Sequence, residues 1–285
     1  MHPLVPWFAA TARDLPWRRP ETTPWGVLVS EFMLQQTPVA RVEPVWLRWM
    51  ADWPVPSALA AASRADVLRA WGKLGYPRRA LRLHQAAAVI ATEHTDVVPS
   101  DVDVLESLPG VGSYTARAVA AFGYGKRCPV VDTNVRRVVA RAVHGRGDAG
   151  PARARADLAD VEALLPPDEP TAATLSAALM ELGAVVCTAR SPRCEVCPLR
   201  AGCAWQNAGR PEYTGPRKAP QAFAGTDRQV RGRLLDVLRG AAAPVEKAAL
   251  DAAWSDAAQR DRCLDSLLVD GLAEQLDDGR FALPA

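Results

Sequence analysis

Two carboxylates and a run of cysteines are the side chains whose setting in this sequence points to chemistry. Glu31 is the one acid in Trp25-Gly-Val-Leu-Val-Ser-Glu-Phe-Met-Leu-Gln-Gln-Thr37. A carboxyl among apolar neighbours is partly desolvated, which raises its pKa and keeps a proton available near neutral pH. Such a group can protonate a leaving group; the plainer reading is an acid on the wet face of an amphipathic helix. Asp132, in Pro129-Val-Val-Asp-Thr-Asn-Val-Arg-Arg137, has the position of a helix N-cap. Capping does not exclude chemistry, because a helix N-terminus favours an ionised carboxylate, and that charge can stabilise a developing positive carbon. Four of the six cysteines, Cys187, Cys194, Cys197 and Cys203, are spaced C-x6-C-x2-C-x5-C. Thiolates in one short loop can converge on a metal centre without long-range folding. Disulfides are disfavoured in the reducing compartment expected here. Zinc sites usually show two close ligand pairs, whereas only Cys194 and Cys197 form one, so spacing leaves iron–sulfur and zinc both open.

Leu108-Pro109-Gly110-Val111-Gly112 lies between two stretches of helical spacing, Val102–Ser107 and Ser113–Phe122. Glycines leave amide N–H groups uncovered, and the following helix start adds its dipole and free donors. This suits a backbone phosphate held without regard to base sequence; a plain helix–turn–helix connector is the alternative. The cysteine loop carries Arg190, Arg193 and Arg200 against the single acid Glu195, which suits phosphate contact or the balancing of a cluster's charge. The net charge of +2 hides an asymmetry: residues 226–285 hold 8 basic and 11 acidic side chains, net −3, and the remainder holds 26 and 21, net +5. A mildly basic body suits a polyanion without requiring one.

These motifs together resemble one family. CTARSPRCEVCPLRAGC, after ALMELGAVV, resembles the [4Fe–4S] loop of the endonuclease III superfamily of DNA glycosylases, and LPGVGSYTARAV resembles its helix–hairpin–helix. SEFMLQQT and Arg13-Asp-Leu-Pro-Trp-Arg18 resemble segments of the MutY-type adenine DNA glycosylases within it. The resemblance covers about residues 5–207. It implies that Cys187, Cys194, Cys197 and Cys203 hold a [4Fe–4S] cluster of structural role, and that Gly110 and Gly112 contact DNA phosphate. It makes Glu31 the acid that protonates adenine at N7 and, once deprotonated, activates the water that adds at C1′. Asp132 then supports the sugar cation, with Asn134 beside it as a support or phosphate contact. This is the logic of glycoside hydrolysis, and the two carboxyls are expected to face one cavity roughly 5–9 Å apart. Many relatives carry Gly where Thr133 stands.

Tyr114 occupies the position of the lysine that attacks the sugar in strand-cutting relatives. An amine forms a Schiff base and a phenol does not, so a monofunctional enzyme is expected. By the same resemblance Arg13, Trp17 and Arg18 line the adenine pocket, with Trp17 stacking on the flipped base (or anchoring the core) and Arg18 orienting it. Glu181 matches a position that contacts the adenine edge, although Ala177 replaces a frequent Gln. Leu34 joins the substrate contacts. Gln36 and Tyr76 match wedges that fill the opened duplex, with Pro77 in place of a frequent second Tyr. The implied substrate is double-stranded DNA containing A:8-oxoguanine or A:G. Larger relatives read 8-oxoguanine with a nudix-like C-terminal domain. Residues 226–285 are too short for one, so no reader of the oxidised base is assigned.

The elements that must position these residues read mostly as helices: Ala60–Trp71, Arg79–Glu93, Val135–Val143 and an Ala-rich, nearly all-round buried Ala172–Val186. Strand-like alternation is nearly absent before residue 225. Residues 208–227, rich in Pro and Gly, read as a linker. Beyond it, helices at Val230–Leu238 and Cys263–Leu272 and a hairpin over Leu272–Leu283 around Asp278-Gly279 suggest a winged-helix-like module, small enough to lean on the body. The expected fold is all-α: a two-lobed helix–hairpin–helix glycosylase core plus this small α+β module. Its parts are a six-helix barrel at 22–140, a cluster domain of 1–21 with 141–207, the linker, and the module at 228–285. At 285 residues the chain suits two or three domains. No apolar run approaches the roughly 18–20 residues of a membrane span, and the N-terminus lacks the pattern of a secretory signal. A cytoplasmic, nucleoid-associated monomer with no membrane partner is expected. Cys128 and Cys263 receive no role. Two rivals are an endonuclease III-like pyrimidine-lesion enzyme, which needs a lysine at Tyr114, and a non-enzymatic DNA-binding iron–sulfur protein, which has no need of Glu31 and Asp132 together.

Overall fold

The computed structural model describes residues 3–216 and 223–285; residues 217–222 of the expected linker lie outside them. The described residues form fifteen α-helices, a few 3-10 turns and one two-stranded antiparallel sheet, with no strand before Glu274. None of these helices is long and apolar enough to cross a membrane. They gather into two compact units. One holds residues 3–28, 99–107 and 111–216; the other holds 29–98, 108–110 and 223–285.

In the first unit the helix Glu169–Val185 is buried on most sides, as its alanine content predicts. Asp168 caps it by accepting from the Thr171 amide at 3.0 Å. The helices Leu4–Thr11 and Thr133–Ala142 pack against it, and Leu4, Val135, Val139, Leu179 and Leu182 share one apolar cluster. Its closest approach to Thr133–Ala142 is at Gly183, where a Cβ would lie 2.7 Å from Asn134 Cβ and 2.8 Å from its carbonyl oxygen. Only glycine lets the two backbones meet there.

In the second unit Trp49 stands edge-on to Trp53 at 4.8 Å and to Trp71 at 5.6 Å between ring centroids, a favourable arrangement of aromatic quadrupoles. The single helix expected over Ala60–Trp71 is two helices, Pro56–Ala60 and Arg64–Trp71. The break is Ser63, whose extended backbone and hydroxyl, accepting from the Asp66 amide at 3.0 Å, start a new helix. Residues 223–285 form the helices Asp227–Gly240, Lys247–Asp251 and Ala257–Val269 and a short hairpin. Its strands pair Glu274 with Ala282 and Gln275 with Phe281, and Val245 exchanges two 2.8 Å backbone bonds with Phe281. Gly279 takes the positive φ (+85°) that the Asp-Gly turn requires. The last helix ends at Val269, short of the expected Leu272, because the chain turns at Gly271 with φ +64°. This module docks on the rest of its unit: Arg239 Nε donates to Leu68 O at 3.0 Å, and Arg78 pairs with Asp270 at 3.3 Å.

Candidate active site

Glu31 sits on the helix Pro24–Leu34. Trp25, Val27, Leu28, Val29, Phe32 and Met33 are all buried around it, and Glu31 itself is only 5% exposed. The helix therefore has no wet face for this acid. Arg79 finishes the helix by donating from Nη1 to Phe32 O (2.7 Å) and Met33 O (3.0 Å), carbonyls that the helix end leaves without an internal partner. Its Nη2 donates to Thr37 Oγ1 and Gly75 O, both at 3.0 Å, and Thr37 Oγ1 donates to Leu74 O at 3.0 Å. One guanidinium thus ties the segment after Glu31 to the turn at Tyr76. Burial pushes Arg79 down to about 10, which leaves it cationic at neutral pH. Gln36 (φ +59°) and Tyr76 (φ +48°) are both exposed and left-handed, and Leu34 is half-buried at the helix end.

Asp132 is the N-cap that its position predicts: Oδ1 accepts from the Val135 amide at 2.7 Å. Its other oxygen accepts from Asn134 Nδ2 at 2.8 Å. Asn134 Oδ1 in turn accepts from Arg137 Nη2 at 2.8 Å, and Arg137 also donates to Gly183 O (2.6 Å) and Cys187 O (2.7 Å). Burial raises the Asp132 pKa above its ordinary value, against the Val135 and Asn134 hydrogen bonds and the charge of Arg137, which pull it down. Its oxygens are therefore held in place by neighbours while the carboxyl remains less well solvated than a surface cap.

Arg13, Arg18 and Glu181 form one cluster in the first unit. Glu181 is fully buried. Its Oε1 accepts from Arg13 N (3.2 Å) and Arg13 Nε (2.7 Å), and its Oε2 from Arg13 Nη2 (2.8 Å) and Arg18 Nη1 (2.9 Å). Burial alone would raise this carboxyl, but the two guanidinium groups outweigh it and hold Glu181 at about 2. Four bonds use most of what a carboxylate can accept. Glu181 therefore fixes the Arg13–Arg18 segment directly. Trp17 in that segment is buried, and Arg18 lies over the Phe8 ring at 5.4 Å.

The two glycines of the turn differ. Gly110 has φ +80°, and a Cβ there would meet Arg82 Cβ at 2.7 Å and Phe32 Cε1 at 3.1 Å. Gly112 is extended (φ −105°, ψ 176°) and faces open space. The first is required by conformation and packing; the second leaves amides at the start of Ser113–Tyr124 uncovered. Tyr114 is half-buried in the first turn of that helix.

Cys187, Cys194, Cys197 and Cys203 line one pocket together with Arg141, Trp205 and Arg200, and none of the cysteines is in a disulfide. Burial, then the neighbouring thiols, push Cys197 up to about 11. Four sulfurs lining one site are donors that a metal centre would hold as thiolates. Iron–sulfur centres are held by cysteine thiolates, four of them for a [4Fe–4S] cluster. The donor set thus fits an iron–sulfur cluster. Arg141, to which the sequence assigns no role, is buried here. It donates to Cys187 Sγ at 3.4 Å and Thr188 O at 2.7 Å and lies over Trp205 at 4.8 Å. Arg137 and Arg79 were likewise passed over in the sequence; an Arg three residues after Asn134 on one helix face was the available signal for Arg137.

The family profile of HhH-GPD superfamily base excision DNA repair proteins matches residues 29–162, and that of the iron-sulfur binding domain of endonuclease III matches 187–203. The chain is 65% identical over 282 residues to an adenine DNA glycosylase of Mycobacterium tuberculosis (strain ATCC 25618 / H37Rv), covering 99% of this chain and 92% of the relative. It is 66% identical to that of Mycolicibacterium smegmatis, with 98% and 94% covered, and 38% identical to that of Homo sapiens, with 70% and 38% covered. Among solved structures it is similar to a non-covalent endonuclease III–DNA complex (TM-score 0.61, 25% identity, 73% and 94% covered). A thermostable thymine-DNA glycosylase shares the fold (TM-score 0.65, 24% identity, 73% and 94% covered). The helix–hairpin–helix, the cysteine loop and this near full-length identity agree: the chain belongs to the adenine DNA glycosylase family of the HhH-GPD base excision repair superfamily.

Proposed function

We propose that this chain binds double-stranded DNA as a monomer and excises adenine paired with 8-oxoguanine or guanine, hydrolysing the N-glycosidic bond without cutting the strand. The observation that carries this reading is Glu31: a carboxyl 5% exposed on a helix whose other side chains, Ser30 apart, are apolar, in a chain of this family. Burial favours the protonated form of a carboxyl, from which a leaving base can take the proton. Glu31 protonates adenine N7, and Asp132, held by Val135 and Asn134, supports the positive sugar carbon. Glu31, now deprotonated, takes a proton from the water that adds at C1′. Tyr114 offers no amine for a Schiff base, which disfavours the strand-cutting alternative.

The flipped base is received by Trp17 and Arg18, with Arg13 and Glu181 fixing their segment. Gln36 and Tyr76 fill the opened duplex, Leu34 joins the substrate contacts, and amides around Gly110 and Gly112 hold a phosphate. Cys187, Cys194, Cys197 and Cys203 hold a [4Fe–4S] cluster, whose chemistry when bound is to cross-link the loop. Single-turnover base release from an A:8-oxoguanine duplex, assayed before and after alkali, tests the proposal. Strand breaks are expected only after alkali. Glu31→Gln is expected to abolish release; a near-normal rate in that variant overturns the assignment of the acid.

A further inference from the structure

The module formed by residues 223–285 carries a net negative charge, which by itself opposes DNA. The structure shows where part of that charge goes. Asp270 pairs with Arg78 (3.3 Å) and Arg231 (2.6 Å), and Asp236 with Lys73 (3.7 Å) and Arg239 (3.5 Å). These acids face the module's own arginines and basic side chains of the helix and turn that follow Trp71. Asp227, the residue before Arg228, is taken by Arg262 and Gln259, both at 2.9 Å. Along this edge the module's carboxylates are matched, and Arg228 makes no ion pair among the described residues. Its Nη1 donates to the Tyr76 hydroxyl at 3.1 Å, and its guanidinium lies 5.1 Å from the Phe223 ring centroid. Tyr76 is 43% and Phe223 53% exposed. A cation and two aromatic rings therefore share one solvent-facing patch, built from two stretches far apart in this unit's sequence.

We propose that residues 223–285 lend Arg228, with Phe223 against it, to the surface headed by Tyr76, and that this patch binds duplex DNA beside the opened base pair. The inference rests on the reading of Tyr76 as a wedge. A guanidinium in this place donates to DNA acceptors, a phosphate oxygen or a purine edge, and the rings give it an apolar platform. The docking of the module thereby has a function: it brings a donor from residue 228 next to a wedge at residue 76.

The test is equilibrium binding of the full-length holoprotein to duplexes carrying a non-cleavable adenine analogue opposite 8-oxoguanine or guanine, over a range of salt. The proteins are wild type, Arg228→Gln, Tyr76→Phe, Tyr76→Ala and, as a control on the distal hairpin, Arg280→Gln. Arg228→Gln is expected to weaken binding roughly tenfold with an unchanged melting temperature, and Arg280→Gln to bind as wild type. An equal loss on both duplexes, with the salt slope reduced by about 1, assigns a phosphate contact. A loss confined to the 8-oxoguanine duplex assigns a purine-edge contact. Tyr76→Phe removes only the hydroxyl and is expected to bind more weakly than wild type but more tightly than Tyr76→Ala. Wild-type binding and salt slope in Arg228→Gln, with Tyr76→Ala impaired, overturn the proposal and spare the wedge. Wild-type binding in Tyr76→Ala overturns the wedge reading itself.

Discussion

Glu181→Gln removes a charge and leaves the shape of the side chain. A carboxyl held at about 2 instead of its ordinary 4.5 corresponds to about 3 kcal/mol of native-state stabilisation at neutral pH, at about 1.4 kcal/mol per tenfold shift. Glu181 is fully buried and its partners Arg13 and Arg18 lie at 2.7–2.9 Å; breaking one side of such a pair leaves buried positive charge without its counter-ion. For 285 residues at roughly 2.1 cal/mol/K each, this is about 5 °C in melting temperature. Because the folded pKa is depressed, the stabilisation is complete above the ordinary value and is lost as pH falls toward 2. Urea and thermal unfolding of the two proteins are expected to differ by the full amount at pH 7 and by progressively less between pH 4.5 and 2. Replacing Arg13 by Met in the Glu181→Gln background is expected to recover part of the loss. A melting temperature within about 1 °C of wild type at pH 7, or a gap that does not close in acid, refutes the reasoning.

Asp132→Asn keeps a good N-cap but removes the charge proposed to support the sugar cation, so single-turnover base release is expected to collapse. Burial raises the Asp132 pKa, so its contribution to stability is present in acid and lost as pH rises; the variant is expected to melt at or above wild type at pH 7, with the gap closing below about pH 4. Gly183→Ala drives a methyl to 2.7 Å from Asn134 Cβ and is expected to cost about 1–3 kcal/mol, with slower base release, because Asn134 holds Asp132. Gly110→Ala combines φ +80° with a 2.7 Å contact to Arg82 and is expected to lower the melting temperature. Gly112→Ala, extended and in open space, is expected to leave it unchanged; calorimetry separates the two.

Local chemistry made much of this protein legible in one dimension. Asp132 is a cap because a carboxylate before a helical run satisfies amides within three residues. The Asp278-Gly279 turn follows from backbone freedom at Gly279. The cysteine loop is readable because its four cysteines lie in seventeen consecutive residues, and the bulk of the helices follow apolar periodicity. Where local signals competed, the reading slipped: Ser63 starts a helix inside what periodicity joins as one, and two glycines that look alike differ in conformation and surroundings.

Contacts between residues far apart in the chain were decided only by the tertiary structure. Nothing in the run around Arg79 says that it closes the Glu31 helix 47 residues earlier, and nothing near Arg137 says that it links Asn134 to the Cys187 carbonyl. Glu181 carries four hydrogen bonds from Arg13 and Arg18, more than 160 residues away, so its low pKa belongs to the fold. The reason is physical: a side chain's hydrogen-bonding capacity is local, but its partner is set by which backbones come to within a few ångströms, and that depends on packing the whole chain at once.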